Sequence, residues 1–431
     1  MKVVWLSHFI PYPVRGGAAQ RSYNLIRQAA ARYEVTLVAF NRPRQDAAAL
    51  ARSRAEFESF CHRVEFWEMP AAWRGPRWWA QLALAPFYEL PQSCVAYASR
   101  RLAVRWRELL AENPDALVHV DSSDLARFLE DATGHPLVLN HHNCESAMLE
   151  RRASLETNWL KRAVLRHQAA KQVRLEQRWL GRVSLNLTVS AEDSRRLYAH
   201  ESQASIAEVE NGTDVEYFQP QPELLEENTI VFAGSLRWYP NQSALMHFGR
   251  AIWPLLRQRR PEIRFIVAGQ YPPEFLVKWA HNIPGIEFVP NPLDIRPMIA
   301  RGAVYVCPML DGGGSRLKML DAMAMGKAIV STTMGAEGLR YEDGRHMRIA
   351  DRPEDFAGAV LRLLEDRAQR CGLEEAARTH AVREYGWQVI GGRMADAYES
   401  VLAPGGSRAV APQHVNGSNR ASLAGNMDSR P

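Results

Sequence analysis

Residues 303–326 read AVYVCPMLDGGGSRLKMLDAMAMG. The first five are apolar, rich in β-branched residues and of strand length, and they stop at Pro308. From Leu317 to Met325 the residues are mostly good helix formers, with Ser315 placed to cap the helix and Gly326 to end it. The stretch therefore reads as strand, glycine loop, helix. A junction of this kind presents unpaired backbone N–H groups at the positive end of a helix dipole, which suits a phosphate. Gly312, Gly313 and Gly314 let the backbone approach a ligand closely, and Arg316 and Lys318 add positive charge beside the helix start. The alternative is a tight turn whose basic residues are merely solvated. Asp321 lies on an otherwise apolar helix, so its carboxylate needs donors: the diol of a ribose, or Lys318 three residues earlier.

Outward from this junction the chain alternates. KVVWLSHF and EVTLVAF (34–40) read as strands around a helix from Arg21 to Ala31, which opens on Gly16-Gly17. ALVHV (116–120), PLVLN (136–140) and LNLTVS (185–190) add strands, with a short helix from Asp124 to Asp131 and a long helical region over roughly 146–182. That region is strongly basic. The segment 209–228 is rich in turn formers and acids and reads as a linker. A second alternation follows, with strands TIVFAGS (229–235), RFIVAG (264–269), IEFVP (286–290), AVYVCP (303–308) and KAIVST (327–332), and helices over 241–257, near 353–366 and on to about 402. Two successive α/β halves imply an α/β protein of two doubly wound sheets facing each other across a cleft. From Pro404 the chain lacks a core-forming pattern, and residues 404–431 are expected to be disordered.

Composition narrows the class. At 431 residues two domains are the default, and 46% hydrophobic with 23% charged residues fits a globular protein. Five cysteines (61, 94, 144, 307 and 371) have neither metal-ligand spacing nor an even count, which suits a reducing cytoplasm. No signal peptide is expected, since His8, Pro11 and Arg15 arrive too soon for one, and no apolar run approaches the roughly 20 residues that span a bilayer. The net charge of +5 favours an anionic ligand, a membrane surface, or nothing specific.

The sequence GGGSRLKMLDAMAMGK (312–327), followed by Ser331-Thr332 and Gly335-Ala336-Glu337-Gly338, resembles the donor-site signature of the family-4 (group 1) retaining glycosyltransferases. Pro11–Gly17 with Asn24-Leu25, Glu210–Asp214 with Phe218, and Phe232–Ser235 are similar to that family's amino-terminal glycine loop, linker and first donor-domain strand. The resemblance implies the GT-B fold, two facing Rossmann-like domains. On that reading 1–210 is the acceptor-side domain, 211–228 the linker, 229–385 the donor domain and 386–403 a helix crossing back to the first domain. A nucleoside-diphosphate sugar is then the co-substrate and a glycan or lipid-linked molecule the acceptor, with no cofactor, no metal and no nucleic-acid partner. The implied donor side comprises Gly16, Gly17, Gly234, Arg237, Val289, Gly313, Gly314, Ser315, Arg316, Leu317, Lys318 and Asp321, with Asp321 on the ribose. Arg316 and Lys318 would stabilise the leaving diphosphate, since no covalent nucleophile is evident.

The chain departs from the family at three places. The acid eight positions before the ribose acid falls on Gly313, the ribose acid is Asp rather than Glu, and a basic pair after the first donor-domain strand falls near Ser235 and Asn241. Asp121, at the end of ALVHV, stands where many relatives place a histidine that contacts the donor sugar. It reads either as a third catalytic residue or as an Asx turn or cap. His141, His142, Asn143 and Glu145 also follow a strand end and read as acceptor contacts or local caps; spacing gives zinc no second ligand cluster. Residues 73–90 mix basic groups with Trp73, Trp78, Trp79, Phe87 and Tyr88, as a membrane-facing patch or as a buried helix. Peripheral contact with an inner membrane surface is thus expected on the first reading. Two alternatives to a transferase stay open: a nucleotide-sugar 2-epimerase, and a nucleotide-sugar-binding protein without turnover.

Overall fold

A computed structural model of the chain describes residues 1–14, 16–42, 44–70, 75, 84, 87–312 and 317–403. Gly313, Gly314, Ser315 and Arg316, the three tryptophans at 73, 78 and 79, and the segment 404–431 lie outside the described residues.

Two all-parallel sheets carry the fold. The first contains β1 (Lys2–Ser7), β2 (Glu34–Asn41), β3 (Arg63–Glu68), β4 (Leu117–Val120), β5 (Leu137–Asn140), β6 (Leu185–Thr188) and β7 (Ile206–Glu208), in the order β3-β2-β1-β4-β5-β6-β7. The second contains β8 (Glu226–Ala233), β9 (Arg264–Gly269), β10 (Ile286–Pro290), β11 (Gly302–Cys307), β12 (Ala328–Ser331) and β13 (Arg348–Ile349), in the order β10-β9-β8-β11-β12-β13. The central strands read as continuous apolar runs because helices cover both faces of each sheet, so Val3, Val4, Trp5 and Leu6 are all buried, as are Ala303 through Cys307. Each sheet reverses its winding once, between β1 and β4 and between β8 and β11, and ligands bind open sheets at such reversals. This is the GT-B arrangement of two Rossmann-like halves.

Several boundaries differ from the sequence reading. β8 begins at Glu226 rather than 229, so the linker is shorter than its composition suggests. The basic region over 146–182 is two helices, Glu145–Leu155 and Trp159–Leu180. Asn158 divides them: its side chain accepts from the Lys161 N–H and caps the second helix. The segment after β4 is a pair of 3-10 turns, Ser123–Phe128 and Glu130–Ala132, rather than an α-helix. β3 and β7, an edge strand and a three-residue strand, were not anticipated.

The helix Trp387–Leu402 packs against the helix Gly17–Ala30. Trp387, Ile390, Met394 and Tyr398 share a buried cluster with Val3, Trp5, Leu25 and Ile26. Tyr398 anchors this packing through its hydroxyl, 2.6 Å from His119 Nδ1.

Candidate active site in the interdomain cleft

The two winding reversals open onto one cleft, which holds a cavity of about 680 Å³. The amino-terminal half lines it with Gly16, Gly17, Gln20, Arg21, His142 and Asn143, and the linker adds Asn211. The opposite wall is Gly234, Ser235, Arg237, Trp238, Asn241, Leu317, Lys318 and Asp321. Seven of the sequence-derived donor-side residues thus face one space: Gly16, Gly17, Gly234, Arg237, Leu317, Lys318 and Asp321. Val289 does not; it packs into the apolar cluster of the second half.

Two glycines shape the meeting of the halves, Gly16 by its backbone conformation and Gly17 by its missing side chain. Gly16 has φ +87°, in the left-handed region that glycine tolerates, and it precedes the first turn of the helix Gly17–Ala30. A Cβ on Gly17 would lie 2.9 Å from Leu317 Cδ1 across the cleft. The N-terminal turn of one half therefore abuts the helix Leu317–Ala324 of the other.

Asp321 sits partly buried on that helix, and Thr213 Oγ1 donates to its Oδ1 at 2.7 Å. Burial pushes its carboxyl up to about 7, against the opposing pull of hydrogen bonds from Thr213 and Gln20. Lys318 Nζ points elsewhere: it donates to Asn241 Oδ1 at 2.6 Å and lies 4.5 Å from the centroid of the Phe232 ring. Asn241 in turn donates through Nδ2 to the Ser235 carbonyl at 2.8 Å, so the residue found in place of a basic one fixes the ammonium over the cleft.

Arg21 was not anticipated. It is 1% exposed, and its guanidinium donates to the Glu210 carbonyl (3.0 Å), Asn211 Oδ1 (3.2 Å) and Asn140 Oδ1 (2.9 Å). Burial lowers its pKa to about 10, opposed by the charge of Asp121. Its sequence signal was a single charge on the stripe Arg21, Ser22, Leu25, Ile26, Ala29, which is otherwise apolar or small.

Asp121 lies behind the cavity wall rather than among the residues that line it. It is fully buried, Ser22 Oγ donates to its Oδ2 at 2.6 Å, and Asn140 Nδ2 donates to its Oδ1 at 2.6 Å. Burial alone would raise its carboxyl, but charge and hydrogen bonds from His142 and His119 hold it well below the usual range. His141 is also buried, with Nε2 3.0 Å from Asn186 Oδ1, and does not line the cavity. Of the four acceptor-side candidates, His142 and Asn143 reach the cavity. Glu145 stands behind Asn143, and burial together with Asp124 raises its carboxyl to about 8.

His8, Asp121 and His142 bring potential ligand atoms within 4.8 Å of one another, a cluster invisible in the spacing. Their polar atoms are engaged internally. The Asp121 carbonyl lies 3.1 Å from His8 Nδ1 and 3.0 Å from His142 Nε2, and its carboxylate is taken by Ser22 and Asn140. Burial and the neighbouring His142 lower the His8 pKa to about 3, so that imidazole is neutral. The arrangement is a hydrogen-bonded network that orients His142 toward the cleft.

A clasp bridges the halves beside the cavity. Arg151, on the helix Glu145–Leu155, donates from both terminal nitrogens to Glu337, and one of them also reaches the Gly312 carbonyl. Arg196 donates to the same carboxylate at 3.1 Å.

Residues 227–366 match the family described as glycosyl transferases group 1. The chain is 28% identical over 247 residues to phosphatidyl-myo-inositol mannosyltransferase of Mycolicibacterium smegmatis, covering 55% of this chain and 62% of that protein. It is 26% identical over 224 residues to D-inositol 3-phosphate glycosyltransferase of Corynebacterium urealyticum, covering 46% and 52%. The matched stretches thus span less than two thirds of these curated relatives. Among solved structures, Anabaena HepE in complex with UDP superposes with a TM-score of 0.65 at 16% identity, over 93% of this chain and all of that one. Sucrose-phosphate synthase of Thermosynechococcus elongatus gives 0.67 at 15%, over 93% and 99%. These likenesses at low identity show the fold.

Proposed function

We propose, from the match of residues 227–366 to the group 1 glycosyltransferases and from the GT-B fold around them, that the protein is a metal-independent retaining glycosyltransferase. It moves a sugar from a nucleoside-diphosphate sugar to a glycan or lipid-linked acceptor. The observation that carries the reading is the pairing, across one cavity, of Gly16-Gly17 with Lys318 and Asp321 on the helix Leu317–Ala324. Lys318 supplies charge for the diphosphate, Asp321 a carboxylate for the ribose hydroxyls, and Gly16-Gly17 a surface without side chains for close approach. In transfer, the bond from the sugar's anomeric carbon to the diphosphate breaks and a bond to the acceptor oxygen forms on the same face. The acceptor proton leaves with the diphosphate, and Lys318 offsets the charge that develops there. His142 and Asn143 on the facing wall are the acceptor-side groups. The names of the relatives support an inositol-containing lipid or inositol phosphate as an acceptor class to test first.

A thermal-shift screen against UDP, GDP and ADP and their glucose and mannose conjugates tests the donor, because a bound ligand raises apparent stability by mass action. Failure of every nucleotide to shift the melting temperature would overturn the reading. A glycine at 313, where the family carries an acid, favours one second reading: a donor-binding protein without turnover. Tight donor binding with neither transfer nor slow donor hydrolysis would select it.

A further inference from the structure

The helices that carry the clasp and flank the acceptor wall end in a surface unlike the rest of the molecule. Leu155 is 57% exposed, Trp159 77%, Leu160 57% and Val164 48%. Two apolar side chains of the first helical turn, one the largest of all residue types, thus stand in water, and Val164 follows Leu160 by four residues on the same face. The first two turns of Trp159–Leu180 project from the domain, since its buried positions begin only at Ala169.

The charge around this apolar cluster is predominantly basic: Glu156, whose Oε1 accepts from the Asn158 N–H, is the one acid between Leu155 and Val164. Between Thr157 and Leu175 there are five Lys or Arg residues and no Asp or Glu. Among the described residues, Arg152, Lys161, Arg162 and Arg166 form no ion pair, whereas elsewhere the surface arginines are often matched: Arg105 with Glu65, Glu108 and Glu112, and Arg301 with Glu226 and Glu287. An unmatched cationic rim around exposed Trp and Leu complements a surface that is anionic at its face and apolar beneath. Water or a neutral protein surface offers no such match. Phe87, 83% exposed, adjoins the same helix, because the Tyr88 carbonyl accepts from Lys171 Nζ.

We propose that the amino-terminal turns of the helix Trp159–Leu180, with Leu155, form a docking surface for an anionic lipid bilayer. Trp159 and Leu160 enter the headgroup region while Lys161, Arg162 and Arg166 contact the lipid phosphates. The helix Glu145–Leu155 starts beside His142 and Asn143 and ends at this surface. Its eleven residues span about 16 Å, so docking would hold the acceptor wall within reach of a lipid headgroup. The docking surface stands on exposure and charge, and it does not depend on the catalytic reading.

The test is co-sedimentation of the full chain with vesicles of phosphatidylcholine alone and with vesicles containing one quarter phosphatidylglycerol, at low and high salt. Wild type should bind the anionic vesicles and be released by salt. The pair Trp159→Ser with Leu160→Ser and the triple Lys161→Gln, Arg162→Gln, Arg166→Gln should each lower binding at least fivefold. Melting temperature should be retained, since the apolar pair and two of the three basic residues are exposed. Absence of binding to anionic vesicles, equal binding to the neutral ones, or insensitivity to both sets of substitutions overturns the proposal. So does a wild-type dimer that the Trp159/Leu160 pair converts to monomer, because a second copy would then be the occupant.

Discussion

Arg151 and Glu337 meet as a two-point pair across the domain boundary, with Nη2–Oε1 at 3.0 Å and Nη1–Oε2 at 3.1 Å, and each side chain is only about a quarter exposed or less. One residue belongs to the amino-terminal half and the other follows strand β12 of the carboxyl-terminal half. The pair therefore reports on how far the cleft is closed.

Arg151→Ala and Glu337→Ala should each open the cleft, read as a rise in the radius of gyration by small-angle X-ray scattering. The double variant should open it no further than either single one. A denaturation cycle should show a coupling of about 1–2 kcal/mol, as suits a charge-assisted bidentate pair that is partly shielded. Additive effects with unchanged scattering would reduce the pair to surface charge.

Asp321 makes a stability prediction with a definite sign. Its carboxyl titrates at about 7 in the folded chain and near 3.8 when unfolded. The folded state binds the proton more tightly, so the stabilisation is full below pH 4 and is lost as pH rises through 7. Asp321→Asn should therefore melt higher than wild type at pH 8, by about 2 kcal/mol once its partial opening to the cleft is allowed for, and should lose that advantage at pH 4. The same variant should bind ribonucleoside diphosphates about tenfold more weakly, or 1.4 kcal/mol, and deoxyribonucleotides with less loss. Equal losses for the two sugars would remove the ribose assignment.

Lys318→Ala should weaken nucleoside-diphosphate binding by about 1.5–3 kcal/mol while leaving the free nucleoside nearly unaffected. Calorimetric titration of UDP against uridine, or of whichever nucleotide the thermal screen selects, measures the difference. Equal changes for both would place Lys318 in a structural role with Asn241.

The glycines of the crossing region can be sorted by what a methyl group would meet. At Gly212 a Cβ would lie 2.8 Å from the Trp387 ring and 2.9 Å from the Tyr385 carbonyl, so Gly212→Ala should cost about 1–3 kcal/mol. At Gly392, inside the helix Trp387–Leu402, nothing lies within 4 Å, and Gly392→Ala should stabilise by about 0.5–1 kcal/mol. Thermal melts of the two variants should move in opposite directions.

Asp121→Ala should unfold the protein more readily, by about 2–4 kcal/mol, because Ser22, Asn140 and His142 would lose a buried charged acceptor. A variant that melts like wild type but fails in transfer would return Asp121 to a direct chemical role.

The two-sheet fold was legible because its central strands are uninterrupted apolar runs bounded by glycine and proline. β3, RVEFWE, was missed because an edge strand with one open face mixes charges among its apolar residues. The loop-to-helix junction at 312–326 pointed to one wall of the cavity, through Leu317, Lys318 and Asp321, and Gly16-Gly17 to the facing one. Arg21, Thr213 and His8 did not announce themselves, because each takes its place from residues about a hundred or more positions away: Arg21 from Glu210, Thr213 from Asp321, His8 from Asp121. The surroundings of Asp121 were hidden for a related reason. Its position at a strand end is what the motif predicts, but the burial that turns its carboxylate inward is set by Ser22 and Asn140 on other elements.

The packing of Trp387–Leu402 on Gly17–Ala30 has a consequence for how the chain is born. The first sheet is complete in sequence at Glu208, yet part of its apolar face is covered only by residues up to Leu402. At a synthesis rate of 5–20 residues per second, the ribosome needs roughly 10–40 s to deliver the covering helix. The second half, apart from the helix Arg367–Tyr385, can fold during that interval while the first waits with Trp5, Leu25 and Ile26 incompletely shielded. The half that is translated first is therefore the half that matures last, and its nascent form is the one that would engage chaperones.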